Sequence, residues 1–468
     1  MRDYQIVLDP FRTLDVLSCQ VHKKLNDHAT LRFIGHIRAE DEEKYVQTGQ
    51  NDIQVKLLLV DESGTDYTFF CGVSTNVQVR VEGDLRLLTL DAVSGSYYMD
   101  LVPHTRVFQN AQSTYDAVLK YNEQYYQNAG HAMSVGAGKQ IGDLIVQYHE
   151  TDWEFAKRLA SHFNDNLVPA YRKEGMHFYF GFPDGKSNID LSQETYTLKK
   201  ETDDYLLKTK NKVLSLIESD ALCMGAVSRE IYEIGDSFPF HGQTYYIFDV
   251  VSELDGREMV HHYKLKSKAG LQAVKRYNEK AIGASLDANI VGITRDTVQV
   301  QVAADGIQSN KKWFPYSTVY SSPDGTGWYC MPEEGDSVRL YMPGDQEKEA
   351  YIISAVHLSK NCSDARVNPD HKSLKSKYNK EVLFTPSSLV FTNNDQENLM
   401  TVEILDEEGI IITSNKAVII KSDESIQIAS TEQSVSVIAP ESITLEQGAT
   451  KLTIKDEIHL DGAQVHME

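Results

Sequence analysis

From Gly409 to Glu468 the chain alternates apolar and polar positions in short packets. Ile410-Ile411-Ile412 and Val418-Ile419-Ile420 come first, then Ile426-Gln427-Ile428, Val435-Ser436-Val437 and Ile443-Thr444-Leu445. Leu452-Thr453-Ile454, Ile458-His459-Leu460 and Val465-His466-Met467 complete the series, with centres six to nine residues apart. Period-two alternation predicts a half-buried strand for each packet, and repetition at a short period predicts a stacked β array. The inward set is Ile, Val, Leu and one Met, and no Phe, Tyr or Trp occurs from Thr401 onward. Its interior is therefore narrow. A solenoid that stacks on itself needs about 18–30 residues per turn, so these packets are too short to close alone. Three chains, each giving one face of a triangular prism, would bury all three aliphatic faces. Eight layers at ~4.8 Å make a needle of about 40 Å, whose last layer alone shows a strand edge.

Upstream, residues 53–60, 68–73, 77–81 and 85–90 alternate as strands between Gly-containing turns, which predicts a small barrel or sandwich. A helix is expected from Ser113, with Asp116 as capping partner and Tyr115, Val118 and Leu119 on one face. Thr151 and Glu154 form a capping-box pair before the apolar side Phe155, Ala156, Leu159, Ala160 and Phe163. Residues 177–182 read as a buried strand. Strands are expected again near Val213, with hairpin turns at His241-Gly242 and Asp255-Gly256. The order is barrel, helical insert, barrel. Residues 281–357 then hold five expected strands (288–294, 297–302, 313–320, 328–340 and 351–356), which suits an OB-type barrel.

Charge narrows the partners. The net charge is -22, which opposes bulk attraction to nucleic acid or an anionic membrane surface. Between Leu286 and His357 five basic residues face ten acidic ones, so the expected OB barrel lacks the positive groove of a single-strand binder. Five scattered cysteines without CxxC spacing predict reduced thiols and no zinc site. No apolar run approaches the length of a transmembrane helix, and the Met1-to-Ile6 start reads as a strand, not a signal peptide.

Candidate chemistry is sparse. His149-Glu150 lacks the second histidine of HExxH, since Trp153 stands there, and reads as the flank of a helix. His261-His262 lies in a strand, where neighbours face opposite ways, so the pair makes no two-ligand site. No G-x-S-x-G, Walker loop or catalytic cysteine motif occurs. Acidic runs such as Asp41-Glu42-Glu43 and Glu333-Glu334 read as solvated turns. No enzyme and no cofactor is expected. His459 and His466 are the candidate metal ligands at the needle end, since three copies would offer a ring of imidazoles. Each sits between apolar residues, however, and so faces solvent if those face inward; no metal is assigned.

Several stretches carry a family resemblance. "TFFCGVSTNVQV", "RVFQNAQSTYDAVLKY", "IVQYHETDWEFAKRLASHF" and "HFYFGF", in that order, resemble the hub of VgrG proteins and myophage tail hubs. "WYCMPEEGDSVRLYMPGD", with its W-x-x-x-P-x-x-G-D-x-V pattern, resembles the OB domain at the base of their spikes. The resemblance implies a mainly β fold with an α/β insert: hub barrel 1 over 1–105, the insert over 106–200 and hub barrel 2 over 201–280. An OB domain over 281–360, a linker over 361–390 and an intertwined triple-stranded β-helix over 391–468 follow. It further implies a homotrimer that caps a hexameric inner tube within a baseplate and is driven through a target envelope when a sheath contracts. Such a protein is cytoplasmic before firing and leaves in the injected particle. A PAAR-like tip protein would dock on Val465, His466 and Met467, and effector cargo would be carried. Related spikes bind iron through His-x-His, which is absent here, and some carry a lysozyme domain. Residues 358–391 are too few for that domain, since a core needs on the order of 100 residues, and the chain ends within the repeats without a fused effector. The alternative is a trimeric phage-type tailspike adhesin or glycan or peptidoglycan hydrolase, which the aromatic-free tail disfavours. Type VI apparatus, extracellular particle and phage are not separated by these residues.

Overall fold

In a computed structural model, the alternating stretches of the first hundred residues become β1 (Gln5–Asp9), β2 (Asp15–Lys24), β3 (Thr30–His36), β4 (Gln54–Val60), β5 (Asp66–Glu82) and β6 (Leu85–Ser94), with a short helix α1 (Glu42–Gln47) before β4. The structure describes residues 4–11, 13–47, 53–213, 216–306, 310–356, 368–395, 397–461 and 464. The two strands expected at 68–73 and 77–81 are one long strand, β5. Its register against β6 shifts between Ser74 and Asn76, so a bulge absorbs the polar Ser-Thr-Asn step without ending the strand.

The insert holds β7 (Pro103–Phe108), α2 (Tyr115–Glu123), β8 (Ala129–Met133), β9 (Ile145–Thr151), α3 (Asp152–Ser161), β10 (Leu167–Pro169) and β11 (Met176–Phe180). The first helix starts one residue later than expected: Thr114, not Ser113, is its N-cap, with the hydroxyl accepting from the Ala117 amide at 3.1 Å. The Thr151–Glu154 capping box on α3 is present in both directions, at 3.0 and 3.1 Å. Phe155, Ala156, Leu159 and Ala160 bury one side of α3 against Phe108, Leu167 and Phe178.

β12 (Tyr196–Lys200), α4 (Thr202–Lys210), β13 (Leu222–Ser228), β14 (Ser237–Phe240), β15 (Gln243–Asp255) and β16 (Glu258–Ser267) follow. Both expected hairpin turns occur, whereas among the described residues the first strand after Val213 is β13, which starts at Leu222. The two strand-rich segments flanking the insert meet in one sheet, ordered β1-β4-β5-β6-β3-β2-β15-β16-β13-β12, with β14 beside β15. β2 pairs β15 antiparallel from Lys24 opposite Asp249 to Gln20 opposite Glu253. The join satisfies an edge that each half would otherwise leave open. It also gives both halves one core, in which Leu31, Leu57 and Phe69 cluster with Ile247, Tyr263 and Leu265.

β17 (Ser285–Thr294), β18 (Thr297–Val302), β19 (Trp313–Pro315), β20 (Ser337–Tyr341) and β21 (Tyr351–Ile353) form a sheet ordered β19-β18-β17-β20-β21. A parallel bridge from Tyr316 to Ile352 and a 2.8 Å bond from the Ser317 amide to the Ile352 carbonyl link its two ends. The third and fourth strands are much shorter than 313–320 and 328–340, because residues 317–336 turn outward as an exposed loop. Its core includes Val107, Leu144 and Val146 of the insert.

The chain forms two compact units, Met1–Leu358 and Ser359–Glu468. The second holds β22 (Lys372–Lys375), β23 (Glu381–Thr385), β24 (Ser388–Thr392), β25 (Met400–Leu405) and β26 (Gly409–Ser414) as a meander, and β27 (Ile443–Gln447), β28 (Thr450–Ile454) and β29 (Ile458–Asp461) as another. Packets centred at 411, 444, 453 and 459 are thus strands. Those at 419, 427 and 436 are not assigned as strands. Gly409 and Gly448 adopt positive φ at the turns that do form, while residues 415–442 contain no glycine and so lack the residue that tight hairpins favour. The packet at 466 lies outside the described residues.

Candidate functional site

The meander of the second unit sorts its side chains by pleat. Cross-strand register puts Leu374, Val382, Phe391, Val402 and Ile412 in one row, and Phe384, Leu389, Ile404 and Ile410 in the next. Both rows lie on one face, since partners in a ladder share a face and alternate residues return to it. The other face is more polar, with Ser373, Glu381, Thr392, Glu403 and Thr413 among its residues. The apolar face is uncovered: Val402 is 37% exposed and Ile412 60%. The aliphatic packets beyond it are barer still, with Ile428 at 73% and Ile438 at 89%. Among the described residues of 368–461 no apolar side chain is buried; the buried ones are Asn393 and Thr401. Covering an aliphatic side chain stabilises by ~1.5–3 kcal/mol, so so many bare ones in register form a face built to be covered.

The first unit is held by charges that patterning alone did not single out. Cys19 and Val21 point inward from β2, Leu25 is buried just past its end, and Lys23, fully buried, occupies the same parity. That break of an apolar phase was the available signal. The Lys23 ammonium meets both Glu233 carboxylate oxygens at 3.0 and 3.1 Å and lies 3.8 Å from the centre of the Phe69 ring. The Tyr67 and Tyr171 hydroxyls each donate to Glu233 at 2.7 Å. Burial pushes the Glu233 carboxyl up, but the Lys23 charge and the two phenols outweigh it and hold it below the ordinary range. A second knot ties the insert to the five-stranded sheet. Buried Arg158 of α3 grips both Glu150 oxygens at 2.8 Å and donates to Glu347 at 2.7 Å, the latter on the short 3-10 helix before β21. Burial raises the Glu150 carboxyl despite Arg158. Glu150 is therefore engaged structurally, while His149 is exposed with φ 48°; the pair is no zincin.

The remaining expected residues fall as follows. His261 is buried and bonded to the Ser252 hydroxyl at 2.7 Å, whereas His262 is exposed, as the strand parity requires. Glu42 of the acidic run 41–43 lies at the start of α1 and pairs with Arg86 at 3.0 Å, and Glu333-Glu334 lies in an exposed turn. The His459 backbone pairs with Thr453 in the last hairpin. Val465, His466 and Met467 lie outside the described residues. Among the described residues no group of three or more His, Cys, Asp or Glu could hold a metal ion.

No family model and no curated protein matches the chain. Solved structures do. A chain of the half-lidded Francisella PdpA–VgrG complex aligns with a TM-score of 0.59 at 10% identity, over 89% of this chain and 88% of that one. A lidless PdpA–VgrG complex gives 0.54 at 10% identity, over 86% and 94%. The E. coli c3393 protein, a component of the type VI secretion system, gives 0.51 at 11%, over 75% of this chain and all of that one. The chain is similar in fold to these proteins: mainly β, with few helices.

Proposed function

We propose that this chain is the central spike of a contractile injection system and works as a homotrimer. The carrying observation is the bare aliphatic face of the second unit, which is in register and, among the described residues, free of buried apolar side chains, on a chain with a VgrG-like fold. Three copies closing a prism over that face would bury it without any foreign partner. On this reading the joined hub sheet stands for two hub barrels at 1–105 and 201–280 around the insert at 106–200, and it meets a hexameric inner tube and baseplate proteins. The five-stranded sheet, linked end to end, supports an OB barrel at 281–360. Residues 361–390 are the linker and 391–468 the intertwined β-helix needle. Val465, His466 and Met467 dock a PAAR-like tip protein, effector cargo travels with the spike, and contact with the target membrane is transient. The protein waits in the cytoplasm and leaves with the particle on contraction. It performs no catalysis and needs no cofactor or metal, and neither His459 nor His466 is read as a ligand.

Native mass spectrometry with negative-stain electron microscopy tests this. A trimer of metal-free mass bearing a thin rod of about 40 Å is expected. A monomer, or a trimer without a rod, sinks the reading.

A further inference from the structure

A groove of about 870 Å³ opens in the first unit between β7, the end of α2 and the turn before β11. Its size suits a small organic ligand or a few residues of peptide. Leu101, Val102 and Tyr125 line it and are each about half exposed. Its floor carries Arg106, which is 8% exposed. The guanidinium is used on one side only. Nη1 donates to Asp152 and, at 3.0 Å, to Gln147, while Nε and Nη2 have no hydrogen-bond partner among the described residues. The Tyr125 ring stacks 4.9 Å from the guanidinium carbon and holds its plane.

Asp152 explains why the arginine stays there. Besides Arg106, it accepts from Gln147 at 2.8 Å, Asn122 at 3.0 Å and the Tyr126 hydroxyl at 2.6 Å. A carboxylate so fully bonded fixes the guanidinium and offsets part of its charge, leaving two donors directed at the groove. His104 also lines the groove, 3.8 Å from Asp152, and burial and Arg106 hold it below the ordinary histidine range. Glu174 at the rim is paired with Lys56 at 3.1 Å.

We infer that this groove binds a carboxylate that carries an adjacent apolar group, with the carboxylate on the free edge of Arg106 and the apolar group against Val102 and Tyr125. A planar monoanion matches two fork donors. A compact dianion such as phosphate matches less well, because Asp152 has already taken half of the cation. The inference rests on the first unit alone and stands whether or not the chain trimerises.

Calorimetric titration of the full chain decides it, with 3-phenylpropionate against 3-phenylpropionamide, and a peptide ending in Leu-Phe carboxylate against its amide. An amidated peptide with an internal Glu and inorganic phosphate complete the set. At least one carboxylate is expected to bind about tenfold or more tighter than its amide counterpart, and the best arm tells free acid, chain terminus and side chain apart. Arg106→Lys, which keeps the charge but loses the fork, is expected to weaken binding about tenfold. Val102→Asp at the exposed rim is expected to do the same with an unchanged melting temperature, and it reads the site even if the arginine variant fails to fold. Equal binding of acid and amide, preference for phosphate, or no binding at about 1 mM overturns the inference.

Discussion

Lys23, Glu233, Arg158 and Glu150 are charges placed where patterning expects hydrocarbon; Lys23 and Glu233 meet across 210 residues and Arg158 reaches Glu347 across 189, while Glu150 is met by Arg158 eight residues on. Removing one member of such a knot strands the other in a dry interior, which is why the knots fix relative positions more than they add stability. Two histidines share that interior. Burial first, then the charges of Arg158 and Lys275, bring His162 down to about 3, and burial with Lys23 brings His261 down to about 4. Both stay neutral in the fold, while in the unfolded chain they take up protons near pH 6.5. Stability is therefore full above that value and falls as pH drops toward 4, by about 1.4 kcal/mol per pH unit for each histidine. Melting curves from pH 7 to pH 4 should show this slope, and His261→Gln should reduce it by about half. A melting temperature flat across that range would contradict the assignment.

At the scale of the element, the meander of β22 to β26 is a sheet with one finished face. An antiparallel sheet with a bare apolar face gains stability when that face is covered by a second layer. Ile412→Asp puts a charge on that face, on the outer strand β26, and Thr413→Asp puts one on the polar face a residue away. Only the first is expected to matter. Sedimentation velocity should show Ile412→Asp shifting the assembly toward monomer, with the melting of the first unit unchanged, while Thr413→Asp sediments as the parent does. Equal behaviour of the two variants would mean that the face is not a contact.

For the whole molecule, charge opposes what the aliphatic face promotes. From Thr401 onward there are thirteen acidic residues and four lysines, so the proposed trimer would crowd like charges along its needle. Salt screens that repulsion, with a Debye length falling from about 10 Å at 0.1 M to about 3 Å at 1 M, and leaves hydrophobic burial intact. The assembly is thus expected to resist urea better at about 0.5 M salt than at low salt. Dissociation promoted by salt would instead point to ion pairs as the cement.

Much was legible from residue order alone. The capping box at Thr151, the opposed faces of His261 and His262, both hairpin turns and the exposed aliphatic phase of the tail follow from local geometry, because a period of two and a cap are set within a few residues. The bulge that keeps β5 whole and the looping-out of 317–336 were not legible, since each depends on what the neighbouring strand offers. Tertiary structure alone decided three things: that the two strand-rich segments share one sheet through β2 and β15, that Lys23 finds Glu233 and Arg158 finds Glu347 across more than a hundred residues, and that Arg106 keeps half its fork free on the floor of a groove. These depend on contacts between distant segments, and a local pattern carries no record of which distant segment will arrive.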